Sequence, residues 1–194
     1  IGFSETITYS FISSASASQF QLAFSSSPEI DAIQLSNPIS KDMGFMRPSL
    51  LPGLIQSAMK NFNNGQKQVK IFECGKVFIR CEQGELGEKT SFAAMMAGTY
   101  ENSVWTQTGK IYDFFDLKGA LGSVIRRMKL RLTEQPDLRR PFMLKGKSME
   151  LMANGQVCGY LGELSPNVIS QYELPQHCVI FELDFDGLIN FLPK

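Results

Sequence analysis

The chain has 194 residues, 43% of them hydrophobic, enough to bury one substantial core, and it reads as a single domain over residues 1–194. Its 19 basic and 19 acidic residues balance, so the overall charge calls for neither nucleic acid nor an anionic membrane as partner. No apolar run reaches the about 18 residues of a membrane span, no charged-then-apolar leader is visible, and a chain opening on Ile1-Gly2-Phe3 instead of Met reads as a segment of something longer.

In chain order, residues 5–12 (ETITYSFI) are rich in β-branched and aromatic residues and predict a strand. The Ser/Ala stretch from Ser13 predicts a short helix ending near Leu22, and Ser25-Ser26-Ser27-Pro28 a loop. Ile33 to Leu35 reads as a short strand stopped by Asn37-Pro38. Ser49 is placed to cap a helix whose apolar face is Leu50, Leu51, Leu54, Ile55, Met59 and Phe62, with Pro52 harmless in the first turn and Asn63-Asn64-Gly65 ending it. Val69 to Ile79 predicts a long strand, and Gly84 and Gly87 mark the loop beyond it. Phe92 to Tyr100 is apolar on both faces, the pattern of a central strand covered on each side. Asp113 to Met128 carries the clearest helical period, with Asp113 as N-cap and Asp116 in the first turn. Leu130 to Thr133 reads as a short strand, and Asn154-Gly155 as a type I′ turn joining Ser148–Ala153 to Val157–Leu161. Ser165-Pro166 opens a short helix, Cys178 to Asp184 is the last strand, and Asp186 is placed to cap a terminal helix through Phe191. Helices set between runs of strands favour an α+β fold, an antiparallel sheet flanked by helices, over a doubly wound parallel sheet.

Most motifs of catalysis are missing. The single histidine, His177, lies in a loop with no partners at ligand spacing, so a zinc site has no support. His177 and Cys178 are adjacent, and neighbours on a strand point to opposite faces, which counts against a nucleophile pair. Cys74, Cys81, Cys158 and Cys178 form no C-x-x-C, and three of them sit in apolar runs, the habit of reduced thiols. There is no phosphate-binding G-x-x-x-x-G-K-[ST] or G-x-G-x-x-G, and no G-x-S-x-G. One charge cluster stands out: Arg126, Arg127, Lys129, Arg131, Arg139, Arg140, Lys145 and Lys147 face only Glu134 and Asp137 within 22 residues. It reads either as a surface for RNA phosphate or an acidic partner, or as the solvated face of a helix end and loop; only Phe142 interrupts it with the aromatic character RNA readers use.

Five blocks then point to a family. Gly2-Phe3-Ser4-Glu5-Thr6-Ile7-Thr8-Tyr9-Ser10-Phe11 resembles the G-F-x-E-x-I-T-Y-S-F opening of the synthetase core in bacterial phenylalanyl-tRNA synthetase beta chains. Asn37-Pro38-Ile39-Ser40 followed by Met46-Arg47-Pro48-Ser49-Leu50-Leu51-Pro52-Gly53-Leu54 resembles its N-P-I-S and M-R-x-S-L-L-P-G-L, and Phe72-Glu73-Cys74-Gly75-Lys76-Val77-Phe78 its F-E-x-G-x-V-F. Trp105 with Asp113-Phe114-Phe115-Asp116-Leu117-Lys118-Gly119, and Gly159-Tyr160-Leu161-Gly162-Glu163-Leu164-Ser165-Pro166, are similar to two further blocks. Any one is weak; in order from residue 2 to 166 they are specific.

The resemblance implies a class II aminoacyl-tRNA synthetase fold and a catalytic-like module without its own active site. Its implied role is to support the alpha chain's active site and alpha/beta assembly in a cytoplasmic alpha2-beta2 enzyme that charges tRNA(Phe). ATP and Mg2+ would then bind elsewhere in that assembly, with no cofactor, metal or catalytic residue in this chain. A working class II site needs a glycine-rich G-x-G-x-E-R near its end, where bare main chain meets ATP. Here Val179-Ile180-Phe181-Glu182-Leu183-Asp184-Phe185-Asp186-Gly187-Leu188 puts bulky residues at the glycines and no arginine after Glu182, and Asp184 and Asp186 would repel a triphosphate. Phe78-Ile79-Arg80-Cys81-Glu82 offers an arginine, which reads as a strand-end surface residue. The chain departs from the family pattern at Leu144-Lys145-Gly146-Lys147, where H-P-G-R is common, and at Ser165, where histidine is usual. The family's first-motif helix would precede Gly2 and cover apolar surface. The rival readings are an RNA-contacting module built on residues 126–147 and a residual class II ligase.

Overall fold

The structure, a computed structural model, describes residues 2–20, 32–80, 85–100 and 109–192. The strands are β1 (Ser4–Glu5), β2 (Phe11–Ile12), β3 (Phe45–Met46), β4 (Gln68–Arg80), β5 (Leu86–Tyr100), β6 (Lys110–Ile111), β7 (Thr133–Pro136), β8 (Met143–Ala153), β9 (Gln156–Leu164) and β10 (Val179–Asp184). The helices are α1 (Ser14–Phe20), α2 (Leu51–Asn63), α3 (Phe114–Arg127), α4 (Pro166–Gln171) and α5 (Phe185–Ile189). Eight strands form one sheet in the order β1-β4-β5-β10-β9-β8-β7, with β6 also paired to β5. Every pairing in it is antiparallel except β1 with β4. This is the expected α+β architecture.

The sheet is covered on both sides because its central strands are apolar on both. Ile180 of β10 and Cys178 just before it join the cluster under α2 that includes Leu50, Leu51, Leu54, Ile55, Met95 and Tyr160. Val179, Phe181 and Leu183 join the opposite cluster, with Leu117, Leu121 and Ile125 of α3 and Leu188 of α5. Each fully buried aliphatic side chain contributes about 1.5–3 kcal/mol, so Leu51, Leu54 and Ile55 at the start of α2, with Leu50 just before it, anchor that helix firmly. α3 opens with the predicted N-cap: Asp113 accepts from Phe115 and Asp116 N–H groups while Asp116 reaches back to the Asp113 N–H, a complete capping box. The Asn154-Gly155 turn has φ of 48° and 80°, as a type I′ hairpin requires.

Some predicted elements shift. The strand expected over residues 5–12 survives only as β1 and β2. Between them Thr8 turns its N–H to the Glu73 carboxylate at 3.2 Å instead of to a ladder partner. Ile33 to Leu35 yields a lone bridge, Gln34 to Phe45. The strand expected at Leu130 to Thr133 begins only at Thr133, because the Leu130 N–H is bound to the Ile125 carbonyl at the end of α3, at 3.1 Å. The terminal helix is capped by Asp184, which accepts from the Gly187 N–H at 2.9 Å. Asp186 accepts from the Thr90 N–H instead, at 2.7 Å. The expected Ser25-Ser26-Ser27-Pro28 loop, Trp105 and Cys81 lie outside the described residues.

Candidate functional site

The most heavily hydrogen-bonded place in the core lies where the start of α2 meets β4, β5, β9 and β10. Glu182 projects from β10 toward α2 and is fully buried. Its Oε2 accepts from Ser49 Oγ at 2.6 Å and Tyr160 OH at 2.6 Å; its Oε1 accepts from the Leu50 N–H at 2.8 Å and Ser91 Oγ at 2.7 Å. Ser49 also accepts from the Leu51 N–H at 3.0 Å, so its own proton is left for Glu182; it stands one residue before the helix cap, which is Leu50, and not at the cap as expected. Burial pushes the Glu182 carboxyl above its ordinary value, more than these hydrogen bonds pull it down. Burial, reinforced by the neighbouring Glu182 charge, likewise drives Tyr160 well above the ordinary phenol value and keeps it a donor.

A second buried group ties the same helix to the sheet edge. Arg47 donates to Glu73 Oε1 at 2.8 Å, to Thr8 Oγ1 at 2.9 Å and to the Lys76 carbonyl at 2.9 Å, and Thr8 Oγ1 donates to Glu73 Oε2 at 2.8 Å. Two glycines make room for it. A Cβ at Gly53 would stand 2.0 Å from Thr8 Oγ1, and one at Gly75 would stand 2.7 Å from Arg47 Nη2. Thus three of the sequence blocks, those containing Thr8, Arg47 to Gly53, and Glu73 to Gly75, meet at one place, and their signature residues are occupied in fastening α2.

The segment that carries Thr8 has an inverted pattern. Thr6, Thr8 and Ser10 turn inward, while Ile7 and Tyr9 are 89% and 75% exposed. A groove of about 230 Å³ lined by Ile7, Tyr9, Phe11, Met43, Gln56 and Lys60 runs beside these two, and elsewhere Ile39 is 83% exposed. An exposed apolar face next to the short edge strand β1 is a feature of association surfaces.

The basic segment is not one patch. Thr133 of β7 pairs with Met152 and Pro136 with Met149, so residues 126–131 and residues 137–147 lie toward opposite ends of β8. Arg126, Arg127, Lys129 and Arg131 are exposed at the first end, and Lys145 at the second. Arg140 is withdrawn from any surface: it is 5% exposed, ion-paired at 3.0 Å to both Asp137 and Glu150, and stacked 4.4 Å above the Tyr160 ring. Arg139 also binds Glu150, and Lys147 pairs with Glu163 at 3.0 Å. Burial opposes ionisation of Glu150, but hydrogen bonds from Arg139, Gln135 and Arg140 together hold its carboxyl below the ordinary value.

His177 Nδ1 sits 3.4 Å from Glu163, and no group of three or more His, Cys, Asp or Glu able to hold a metal occurs among the described residues. Cys74, Cys158 and Cys178 are free thiols, and burial raises Cys158 to about 11 and Cys178 to about 12, the range of inert core thiols. Arg80 is the last residue of β4. Asp184 is paired with Lys89 at 3.0 Å. No helix among the described residues is long and apolar enough to cross a membrane.

The sequence offers Glu182 only as the residue that no arginine follows, and Ser49 only as a cap. Tyr160 and Glu73 were seen as block residues without a role, and Ser91 was not singled out. The available signal was an acid between Phe181 and Leu183, in a strand apolar enough to be covered on both faces; such a residue must find donors.

Residues 1–185 match the family model described as the phenylalanyl tRNA synthetase beta chain CLM domain. Among curated proteins, the chain is 34% identical over 189 residues to a phenylalanine–tRNA ligase beta subunit of Legionella pneumophila (strain Paris), covering 97% of the chain and 23% of that protein. It is 36% identical to that of Moorella thermoacetica (96% and 23%) and 37% identical to that of Pasteurella multocida (93% and 22%). The chain thus spans about a quarter of the length of these relatives. Among solved structures, pyrrolysyl-tRNA synthetase from Desulfitobacterium hafniense superposes with a TM-score of 0.69 at 14% identity, covering 97% of this chain and 62% of that one. At that identity the likeness speaks for the fold, which is that of the class II synthetases.

Proposed function

We propose, from the premise that the chain belongs to the phenylalanyl-tRNA synthetase beta chain family through its CLM domain, that it is a scaffold module of the ligase. On this reading it supports the alpha chain's active site and alpha/beta assembly in a cytoplasmic alpha2-beta2 enzyme, and itself binds neither ATP, Mg2+ nor phenylalanine.

The observation that carries the reading is the last strand. Ile180 and Glu182 on one face, and Val179, Phe181 and Leu183 on the other, are all buried. A nucleotide laid against this strand would need main chain free of side chains, and here both faces are filled by the protein's own packing. The positions where a triphosphate would seek cations carry Asp184 and Asp186, engaged with Lys89 and Thr90. The outward Ile7, Tyr9 and Ile39 supply apolar surface of the kind a partner subunit covers. The basic residues give less support to RNA contact, because Arg139, Arg140 and Lys147 have acidic partners within the fold.

One calorimetric experiment tests both halves. Titrating the chain with ATP and with phenylalanine is expected to give no saturable heat. Titration with the alpha chain is expected to give saturable binding that Tyr9→Glu weakens at least tenfold. Tight, saturable ATP or phenylalanine binding would overturn the scaffold reading.

A further inference from the structure

We propose that Ser49, the Leu50 N–H, Ser91 and Tyr160 form a carboxylate-binding cradle, and that Glu182 is its built-in ligand. The inference rests on the reading that this face of the sheet is closed by the chain's own side chains, and it names what closes it.

Four donors from three separate stretches of chain converge on one group at 2.6–2.8 Å, two on each oxygen. That number matches the acceptor capacity of an ionised carboxylate, which has no proton to place. All four donors are uncharged, and one of them, the Leu50 N–H, lies at the start of the 13-residue α2, where helix amides favour an anion.

The cradle is held in place by contacts that do not involve Glu182. Ser49 Oγ is fixed by the Leu51 N–H at 3.0 Å. The Tyr160 ring packs against Arg140, 4.4 Å from its centroid, and against Phe142, edge-on at 5.8 Å. Ser91 differs, since its one proton is shared between Glu182 and the Leu183 carbonyl, the latter at 3.2 Å. Removing the carboxylate therefore leaves donors aimed at a space shaped for it. Truncating Glu182 to Ala deletes Cγ, Cδ and both oxygens, the four heavy atoms of acetate. A short aliphatic carboxylate is the ligand class the emptied cradle should take.

The test is the thermal midpoint of wild type, Glu182→Ala and Glu182→Gln with increasing sodium acetate at fixed ionic strength, with chloride and acetamide as controls. E182A is expected to melt about 5–10 °C below wild type. Acetate should restore much of that loss in a saturable way, half-maximal at about millimolar concentration or above. Wild type and E182Q, whose cradles are filled, should not respond. If E182A is unfolded in buffer, acetate-dependent recovery of its circular dichroism is the same readout. The proposal is overturned if E182A melts with wild type, if acetamide equals acetate, or if acetate shifts all three proteins alike. ATP binding to wild type would remove the scaffold reading while leaving the acetate result to stand or fall by itself.

Discussion

Glu182 and Glu150 are both buried acids, and Tyr160 touches the surroundings of each. Its hydroxyl donates to Glu182, while its ring carries Arg140, which binds Glu150. Yet the two carboxyls are shifted in opposite directions. Glu182 is surrounded by uncharged donors, and burial raises it. Glu150 is also disfavoured by burial, but its bonds to Arg139, Gln135 and Arg140 lower it overall. A complete set of hydrogen bonds satisfies a buried acid without restoring the solvation its charge has lost, whereas guanidinium groups can outweigh that loss. The Glu182 site therefore works as a geometric lock and the Glu150 site as a charge lock.

The largest test of this contrast is Arg140→Ala, which leaves Asp137 and Glu150 buried without the cation they share. It should cost about 3–5 kcal/mol in urea denaturation. Arg139→Ala, at the exposed end of the same cluster, should cost no more than about 1 kcal/mol. Equal losses would mean that the cluster is not organised around the buried guanidinium.

A smaller effect is expected from Tyr160→Phe, which keeps the ring under Arg140 but removes one donor from Glu182. About 1–2 kcal/mol should be lost, and the loss should largely disappear when Tyr160→Phe is made in the Glu182→Ala background. An undiminished loss there would place the effect in ring packing instead.

The smallest expected effect is in pH dependence, where the signs are opposite. Glu182, raised in the fold, contributes stability that is fully present below the ordinary value of 4.5 and is lost as pH rises through its folded value. Glu150, lowered in the fold, contributes stability present above 4.5 and lost as pH falls through its folded value. Relative to wild type, Glu182→Gln should therefore gain stability as pH rises above about 4.5, while Glu150→Gln should lose its disadvantage as pH falls below it. Midpoints measured from pH 3 to 7 check this, and parallel profiles for the two variants would refute the assignment.

Much of the architecture was legible because it is encoded locally. The capping box at Asp113, the Asn154-Gly155 turn and the apolar period of α2 each lie within a few residues and need no distant partner. The element limits that failed depended on distant groups. The strand over residues 5–12 is interrupted because Glu73, 65 residues away, accepts the Thr8 N–H. Asp186 does not cap the terminal helix because its carboxylate is taken by the Thr90 N–H, 96 residues away.

By itself, then, the sequence determined the family, the α+β class, the central position of β5 and the bulky character of the last strand, since composition, periodicity and motif order are properties of neighbours along the chain. Only the tertiary structure decided that Glu182 completes a cradle, that Arg140 is an internal counter-ion instead of part of an RNA-facing patch, and that Ile7 and Tyr9 point outward. Each of those facts depends on which distant group supplies a hydrogen bond, a charge or a covering surface, and chain spacing carries no record of that.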